Sequence, residues 1–368
     1  MSEPIKVLIV DDSATVRRLL TALIERDGRM RVVGVAPDPY VAREEIKRLN
    51  PDVLTLDVEM PRMDGLTFLK NLMRLRPMPV VMVSSLTDRG AEVTLSALEV
   101  GAVDFVCKPR HDLVNTLGSY GLDLTDKIAA AAKARVRPYV PAKKISAGAQ
   151  AVKPVLLNKT SLVRQVVAIG ASTGGTEAIK DVLMNLPPDM PPVLITQHMP
   201  ASFSGAFARR MDSVSVLSVQ EASDGLEVCN GHVYIAPGDR HMLLSRANGR
   251  LRIVLDDGAP VNRHKPSVDV MFDSVMETMG ADVTAVLLTG MGDDGARGMK
   301  RLREAGAATI AQDQKSSVVW GMPGSAVRLE AAQLVLPLNT IAAKVIGLVA
   351  KAPGSSFTGT ALKRHYGS

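Results

Sequence analysis

The sequence predicts an α/β protein of two domains, each built on a largely parallel, doubly wound sheet. Short β-rich runs alternate with helical patterns through both halves, the order that gives parallel strands joined by crossover helices. A length of 368 residues at 46% hydrophobic content is enough for each domain to bury its own core. Between the halves, an Ala-, Pro- and Lys-rich stretch loses apolar periodicity after residue 138, which reads as a linker.

In the first half the strand-like runs are 6–10, 31–36, 53–56, 80–83 and 104–106, and the helical segments lie near 14–26, 39–49, 65–75, 91–100 and 112–132. Five such units imply one open parallel sheet, in which ligands gather at the carboxyl ends of the strands. Four of the five strands end in polar residues: Asp11 and Asp12 follow the first, Asp57 the third, Ser84 the fourth and Lys108 the fifth. All of them face one crevice.

The residue types define the chemistry of that crevice. Three crowded carboxylates, Asp11, Asp12 and Asp57, repel one another unless a hard cation with oxygen ligands neutralises them, and Mg²⁺ fits best. Lys108 supplies a fixed positive charge and Ser84 a hydroxyl, both suited to the oxygens of a phosphoryl group on Asp57. A carboxylate nucleophile can carry such a group as an aspartyl phosphate. Taken singly, Asp11-Asp12 also reads as a helix cap and Lys108-Pro109 as a loop; the ordered set at four strand ends is what points to function.

In the second half the strand candidates are 166–170, 193–197, 214–219, 232–236, 251–255, 285–289 and 308–312, with an antiparallel excursion expected around 214–255. Helical segments include 176–186, 202–211, 268–279, 295–305 and 340–350. Gly170-Ala171-Ser172-Thr173-Gly174 falls between a strand and a helix and fits G-x-S-x-G. Small flanking residues permit a tight turn that exposes the hydroxyl, and the helix N-terminus directs N–H groups at developing negative charge. The loop alone also suits a phosphate or nucleotide binder, although it lacks the G-x-G-x-x-G spacing.

Two partners shift the balance towards catalysis. His198 stands just past the strand at 193–197 and Asp294 just past that at 285–289. With Ser172 they make a Ser–His–Asp triad possible, in which Ser172 attacks an acyl carbonyl, His198 relays its proton and Asp294 orients the imidazolium. The chain order differs from the Ser, Asp, His order of α/β-hydrolases, so the scaffold would be another one. Among the competing histidines, His232 begins a strand while His241 and His264 read as members of polar loops. Cys229 reads as a turn residue.

Charge and composition narrow the function classes. The net charge of +6 comes from residues 126–165, whose nine Lys+Arg against one acidic residue give +8, whereas 1–125 carries 16 against 18 and 166–368 carries 19 of each. A solvated basic tether accounts for this better than a nucleic-acid surface, and no helix-turn-helix signature is present. No run of about 18 apolar residues exists to span a membrane. The polar start Met1-Ser2-Glu3-Pro4 and the short run 7–10 predict no signal peptide. Cys107 and Cys229 fall in different domains and are expected as reduced thiols, so the expected compartment is the cytoplasm.

Residues 4–125 resemble a response-regulator receiver domain, which has the flavodoxin-like (βα)5 fold. The matching stretches are Val10-Asp11-Asp12-Ser13, Asp57-Val58-Glu59-Met60-Pro61-Arg62-Met63-Asp64-Gly65, Met82-Val83-Ser84-Ser85 and Lys108-Pro109, with Phe105 at the position of the switch aromatic. The resemblance implies Mg²⁺-dependent phosphorylation of Asp57 by a sensor histidine kinase, with Ser84, Phe105 and Lys108 reading out the phosphoryl group.

Residues 161–352 resemble the catalytic domain of the chemotaxis protein-glutamate methylesterases. The stretches Ile169-Gly170-Ala171-Ser172-Thr173-Gly174-Gly175-Thr176, Gln197-His198-Met199-Pro200, Pro266-Ser267-Val268-Asp269, Leu288-Thr289-Gly290-Met291-Gly292-Asp293-Asp294-Gly295 and Trp320-Gly321-Met322-Pro323 carry it. With a linker at 126–160 and a tail at 353–368, the whole is similar to the CheB-type response regulators. The resemblance implies a larger, mostly parallel doubly wound domain, the triad Ser172, His198 and Asp294, and an oxyanion hole from the backbone amides of Thr173 and Met291. It implies hydrolysis of glutamyl methyl esters on chemoreceptors without a cofactor, deamidation of certain receptor glutamines, and restraint by the unphosphorylated receiver.

Overall fold

The computed structural model describes residues 3–85, 87–108, 113–136, 138–139 and 163–351. The chain parts into two units, Met1–Ile145 and Ser146–Ser368. Most of the expected linker, and the whole tail from 353, lie outside the described residues.

The first unit alternates strand and helix throughout: β1 (Ile5–Val10), α1 (Ala14–Ile24), β2 (Met30–Ala36), α2 (Pro39–Leu49), β3 (Val53–Asp57), α3 (Gly65–Leu75), β4 (Val80–Ser84), α4 (Asp88–Val100), β5 (Asp104–Cys107) and α5 (Leu113–Ala131). These ten elements overlap those read from the sequence, and α5 carries ordered chain past residue 125. The sheet runs β2-β1-β3-β4-β5 with every pair parallel. Every residue of β3 and β4 is buried, as a parallel sheet covered on both faces requires. Four helices start on side-chain caps, in which Ser13, Asp38, Asp64 and Thr87 accept backbone N–H groups of the first turn. Each such cap contributes about 1 kcal/mol, and the Ser13 cap starts α1 directly after Asp11 and Asp12. Strand order reverses between β1 and β3, which opens the crevice there.

The second unit comprises β6 (Val166–Ala171), α6 (Gly175–Leu183), β7 (Val193–Gln197), α7 (Ala201–Val214), β8 (Ser218–Glu221), β9 (His232–Ile235), β10 (His241–Ala247), β11 (Arg250–Asp256), α8 (Val268–Met279), β12 (Val283–Leu287), α9 (Ala296–Glu304), β13 (Ala308–Gln312), α10 (Met322–Arg328), β14 (Leu334–Leu336) and α11 (Leu338–Lys351). Seven parallel strands order as β14-β13-β12-β6-β7-β9-β8, and β10 with β11 forms a separate antiparallel ribbon. The neighbouring strands β12, β6 and β7 are wholly buried. Phe203 and Phe207 of α7, and Phe272 of α8, are fully buried, each contributing about 1.5–3 kcal/mol of apolar transfer.

Three expectations need correction. Residues 214–219 are not one strand: Val214 closes α7, Ser215 caps it by donating its N–H to Met211 O, and β8 starts at Ser218. The antiparallel excursion is limited to β10 and β11, because β8 and β9 join the sheet in parallel. His241 is not a loop residue; it opens β10 and is 1% exposed. The sequence did hold a signal for that ribbon, since Asn248 (φ 51°) and Gly249 (φ 76°) make its two-residue turn. The elements α10 and β14 were not anticipated either; both are short, of seven and three residues.

Candidate functional sites

In the first unit, the carboxyl ends of β1, β3, β4 and β5 bring the predicted residues together. Ligand atoms of Asp11, Asp12 and Asp57 all lie within 4.8 Å of one another. Lys108 Nζ stands 2.7 Å from Asp57 Oδ2 and 3.2 Å from Asp11 Oδ2. Burial pushes the Asp57 carboxyl up to about 6; the Lys108 hydrogen bond opposes this, and the Asp11 charge adds to it. Burial also raises Asp11, while Asp57 and Asp11 hold the Lys108 ammonium above its ordinary value against burial. One cation facing three carboxylates leaves the cluster short of positive charge. Asp11 Oδ2 is buried and faces the Lys108 ammonium at 3.2 Å, and three carboxylates around one cation make an oxygen set that suits a small divalent cation such as Mg²⁺.

Ser84 and Phe105 sit beside this cluster without touching it in the same way. The Ser84 hydroxyl is fully buried, 2.7 Å from Thr94 Oγ1 of α4, and among the described residues it makes no bond to Asp57. Phe105 is 4% exposed, with Lys127 Nζ donating to its carbonyl at 2.9 Å and lying 5.5 Å from the ring centroid. Thr94 and Lys127 are partners that sequence reading missed, since neither lies at a strand end.

In the second unit, β6, β7 and β12 are neighbours, so the residues just beyond their ends converge. Ser172 follows β6 directly. Its N–H donates to Thr289 O at 3.0 Å, and its carbonyl accepts from Gly175 N–H at 2.7 Å and from Gln197 Nε2 at 2.9 Å. Gly174, at φ 75°, makes the sharp entry into α6 that leaves the Ser172 side chain half-buried. His198 follows β7 and donates its backbone N–H to Ala171 O at 3.1 Å. Gln197 Nε2 lies 3.2 Å from His198 O as well, so one amide ties the serine and the histidine backbones together.

Asp294 is 1% exposed, a position a carboxylate occupies only with full hydrogen bonding. Oδ2 lies 2.8 Å from His198 Nε2 and accepts the Val268 N–H at 2.7 Å. Oδ1 accepts Ser267 Oγ and Asn262 Nδ2, each at 2.8 Å, and the Asp269 N–H at 3.2 Å. Several of these donors are the N-terminus of α8, whose dipole favours an anion. Burial alone would raise this carboxyl, but His198, Asn262 and the Val268 amide hold it well below the usual carboxylate range. With Nε2 on Asp294, Nδ1 is the ring nitrogen left over; it is buried and has no hydrogen-bond partner. The hydrogen bond between Ser172 and His198 is therefore not formed in this state, as is common before substrate binds.

Thr173 is 3% exposed at the entry to α6. Met291 follows Gly290, where a Cβ would come within 2.8 Å of Ser172 Cβ and 2.3 Å of Met322 Sδ. Only glycine allows that approach of Gly290 to the serine; among the described residues the N–H of Met291, next in the chain, has no acceptor. The other histidines separate clearly. His232 Nδ1 pairs with Asn230 O at 3.0 Å. His241 is held on both sides, Nε2 to Ala259 O and Nδ1 from the Ser267 N–H, so it is structural. His264 is not remote: its ring stacks on His198 at 3.8 Å between centroids and 14° between planes. Asn262, Ser267 and His264 are the site residues that sequence reading missed, apart from the Pro266–Asp269 stretch that flagged their neighbourhood.

Comparison with known proteins agrees with this division. The family described as CheB methylesterase matches residues 167–345, and that described as response regulator receiver domain matches 7–117. A protein-glutamate methylesterase/protein-glutamine glutaminase 2 of Xanthomonas oryzae is 54% identical over 96% of this chain and 99% of its own length. The protein-glutamate methylesterase/protein-glutamine glutaminase of Hydrogenovibrio crunogenus is 52% identical over 94% and 99%. The crystal structure of the Thermotoga maritima CheB methylesterase catalytic domain is 42% identical, covering 50% of this chain and 98% of that one, with a TM-score of 0.50.

Proposed function

The chain belongs to the CheB methylesterase family in its receiver-linked form, and from that membership we propose how its residues perform the family's reaction. It hydrolyses glutamyl methyl esters of chemoreceptors, releasing methanol, and deamidates receptor glutamines, as part of chemotactic adaptation. One observation carries the mechanism: His198 gives Nε2 to a five-donor carboxylate while its Nδ1 is buried and unpartnered near a strand-end serine. Ser172 Oγ attacks the ester carbonyl as Nδ1 takes its proton, and Asp294 stabilises the imidazolium through Nε2–H. The Thr173 and Met291 amides receive the oxyanion. Collapse of the tetrahedral intermediate breaks the bond to methoxide, which leaves as methanol with the proton from His198. Water, deprotonated by the same nitrogen, then attacks the acyl-serine and frees the glutamate carboxylate. For glutamine the leaving group is ammonia.

The receiver sets the rate. Asp57 is the phosphoryl acceptor from a sensor histidine kinase, and Asp11, Asp12 and Asp57 are the residues that would hold Mg²⁺. Bound there, Mg²⁺ would neutralise charge on the incoming phosphoryl group. Lys108 pairs with a phosphoryl oxygen, and Ser84 leaves Thr94 to bond another, with Phe105 following. The protein works in the cytoplasm, where kinase and receptor signalling domains meet, without nucleic acid and without inserting into the membrane.

Asp57→Asn keeps the side-chain shape but removes the nucleophilic charge. The variant should take no stable label from the kinase or from a small phosphodonor with Mg²⁺, and phosphodonor should no longer raise its methanol release from methylated receptor membranes. In the unsubstituted chain the same phosphodonor should raise it about tenfold, which requires only ~1.4 kcal/mol of differential stability. Undiminished labelling of Asp57→Asn would move the acceptor to another residue.

A further inference from the structure

Between β11 and α8 the chain makes a small, tightly specified turn. Val261 and His264 exchange both backbone hydrogen bonds, at 3.0 and 2.9 Å. The two residues between them, Asn262 at φ 51° and Arg263 at φ 68°, are both left-handed, the conformation of a two-residue hairpin turn. This turn grips the proposed catalytic dyad from two directions. Asn262 Nδ2 reaches Asp294 Oδ1 at 2.8 Å and Asp269 Oδ2 at 2.7 Å, while the His264 ring lies flat on His198.

We propose that His264 is a positioning residue for the reaction, holding the plane of the His198 ring so that Nε2 stays on Asp294 and Nδ1 is presented to the serine proton. The inference rests on the reading of His198 as the base. Among the described residues the His198 ring hydrogen-bonds one side chain, Asp294, and a single bond at one ring edge resists rotation about Cβ–Cγ only weakly. Such rotation would carry Nδ1 out of line and turn carbon Cε1 towards Asp294 in place of Nε2. A flat ring 3.8 Å away, nearly parallel, opposes it sterically. Because its own backbone is fixed by the turn, and the turn is tied to Asp294 through Asn262, the stacking ring and the carboxylate move as one body. In this role His264 takes no proton and forms no bond to substrate; it acts through His198.

The proposed role belongs to the face of the ring, which makes it separable from any polar contact of the nitrogens. His264→Phe keeps a flat ring without nitrogens, and His264→Asn keeps a polar group without a ring. In the intact chain, methanol release by His264→Asn should show kcat lowered about tenfold, the scale of a modest misplacement of a catalytic group, with KM within about twofold. His264→Phe should recover kcat to within about threefold. ¹⁵N imidazole spectra should report a single Nε2–H tautomer for His198 in the unsubstituted chain and in His264→Phe, and a tautomer mixture in His264→Asn. The proposal is overturned if the Asn variant matches the unsubstituted enzyme, if Phe is as impaired as Asn, or if only KM changes. His198→Ala, assayed in parallel, tests the underlying reading: if that variant stays active, the assignment of the base fails whatever the His264 variants do.

Discussion

Alanine at Ser172 is expected to lower methyl-ester hydrolysis by about 10⁴- to 10⁶-fold while leaving the fold unchanged. The size of the effect follows from the loss of the nucleophile itself, since the oxyanion amides and substrate contacts that remain supply only the residual rate. The insensitivity of the fold follows from how the position is held. Ser172 is anchored through its backbone, by its N–H to Thr289 O and its carbonyl to Gly175 and Gln197, and alanine keeps all three bonds. Among the described residues its hydroxyl makes no hydrogen bond, so removing it leaves no buried partner unsatisfied. Methanol release from methylated receptor membranes measures the rate, and thermal unfolding the fold. A folded Ser172→Ala protein retaining more than about 1% of the activity would remove serine catalysis from the mechanism.

The residues legible from sequence share one property: each lies within a few positions of a parallel strand's carboxyl end. Asp11, Asp12, Asp57, Ser84 and Lys108 surround one crevice, and Ser172, His198 and Asp294 the other, because parallel sheets place all their carboxyl ends on the same side. What the sequence did not disclose lies away from strand ends. Thr94 is inside α4, and its bond to Ser84 depends on how that helix packs on the sheet. Asn262 and His264 sit in a polar stretch with no apolar periodicity, and their approach to Asp294 and His198 depends on two non-glycine residues in left-handed conformations. His241 follows Gly238-Asp239-Arg240, which reads as turn, yet it opens a strand and its ring is buried and accepts the Ser267 N–H. The β10–β11 ribbon is a different kind of miss: Asn248-Gly249 is a hairpin-turn signal, but the expected excursion around 214–255 did not use it and left 241–247 without a strand.

Asparagine at Asp294 should have the next largest effect, and it should act on both catalysis and stability. The carboxylate accepts from five donors. An amide has one oxygen to offer, so its NH₂ group must face donors that were facing an oxygen. If that NH₂ points at His198, Nε2 must give up its proton to accept, which moves the proton to Nδ1 and blocks the nitrogen that the mechanism needs as base. A wrong tautomer of this kind costs on the order of 10⁴ in kcat in a serine protease with intact geometry, and a similar loss is expected here. Each buried donor left unsatisfied costs about 1–3 kcal/mol, so the variant should also unfold at lower temperature at neutral pH. The stability difference carries a pH signature. The carboxyl's folded value lies below its ordinary 3.8, so the unfolded chain binds its proton first on acidification. The stabilisation is therefore complete above about pH 4 and fades as pH falls towards the folded value, whereas an amide does not titrate. Thermal unfolding of both proteins should show a constant gap from neutral pH down to about 4 and a narrowing gap in stronger acid. An Asp294→Asn protein that matches the unsubstituted chain in both rate and stability at neutral pH would mean that the five-donor carboxylate neither orients His198 nor secures the start of α8.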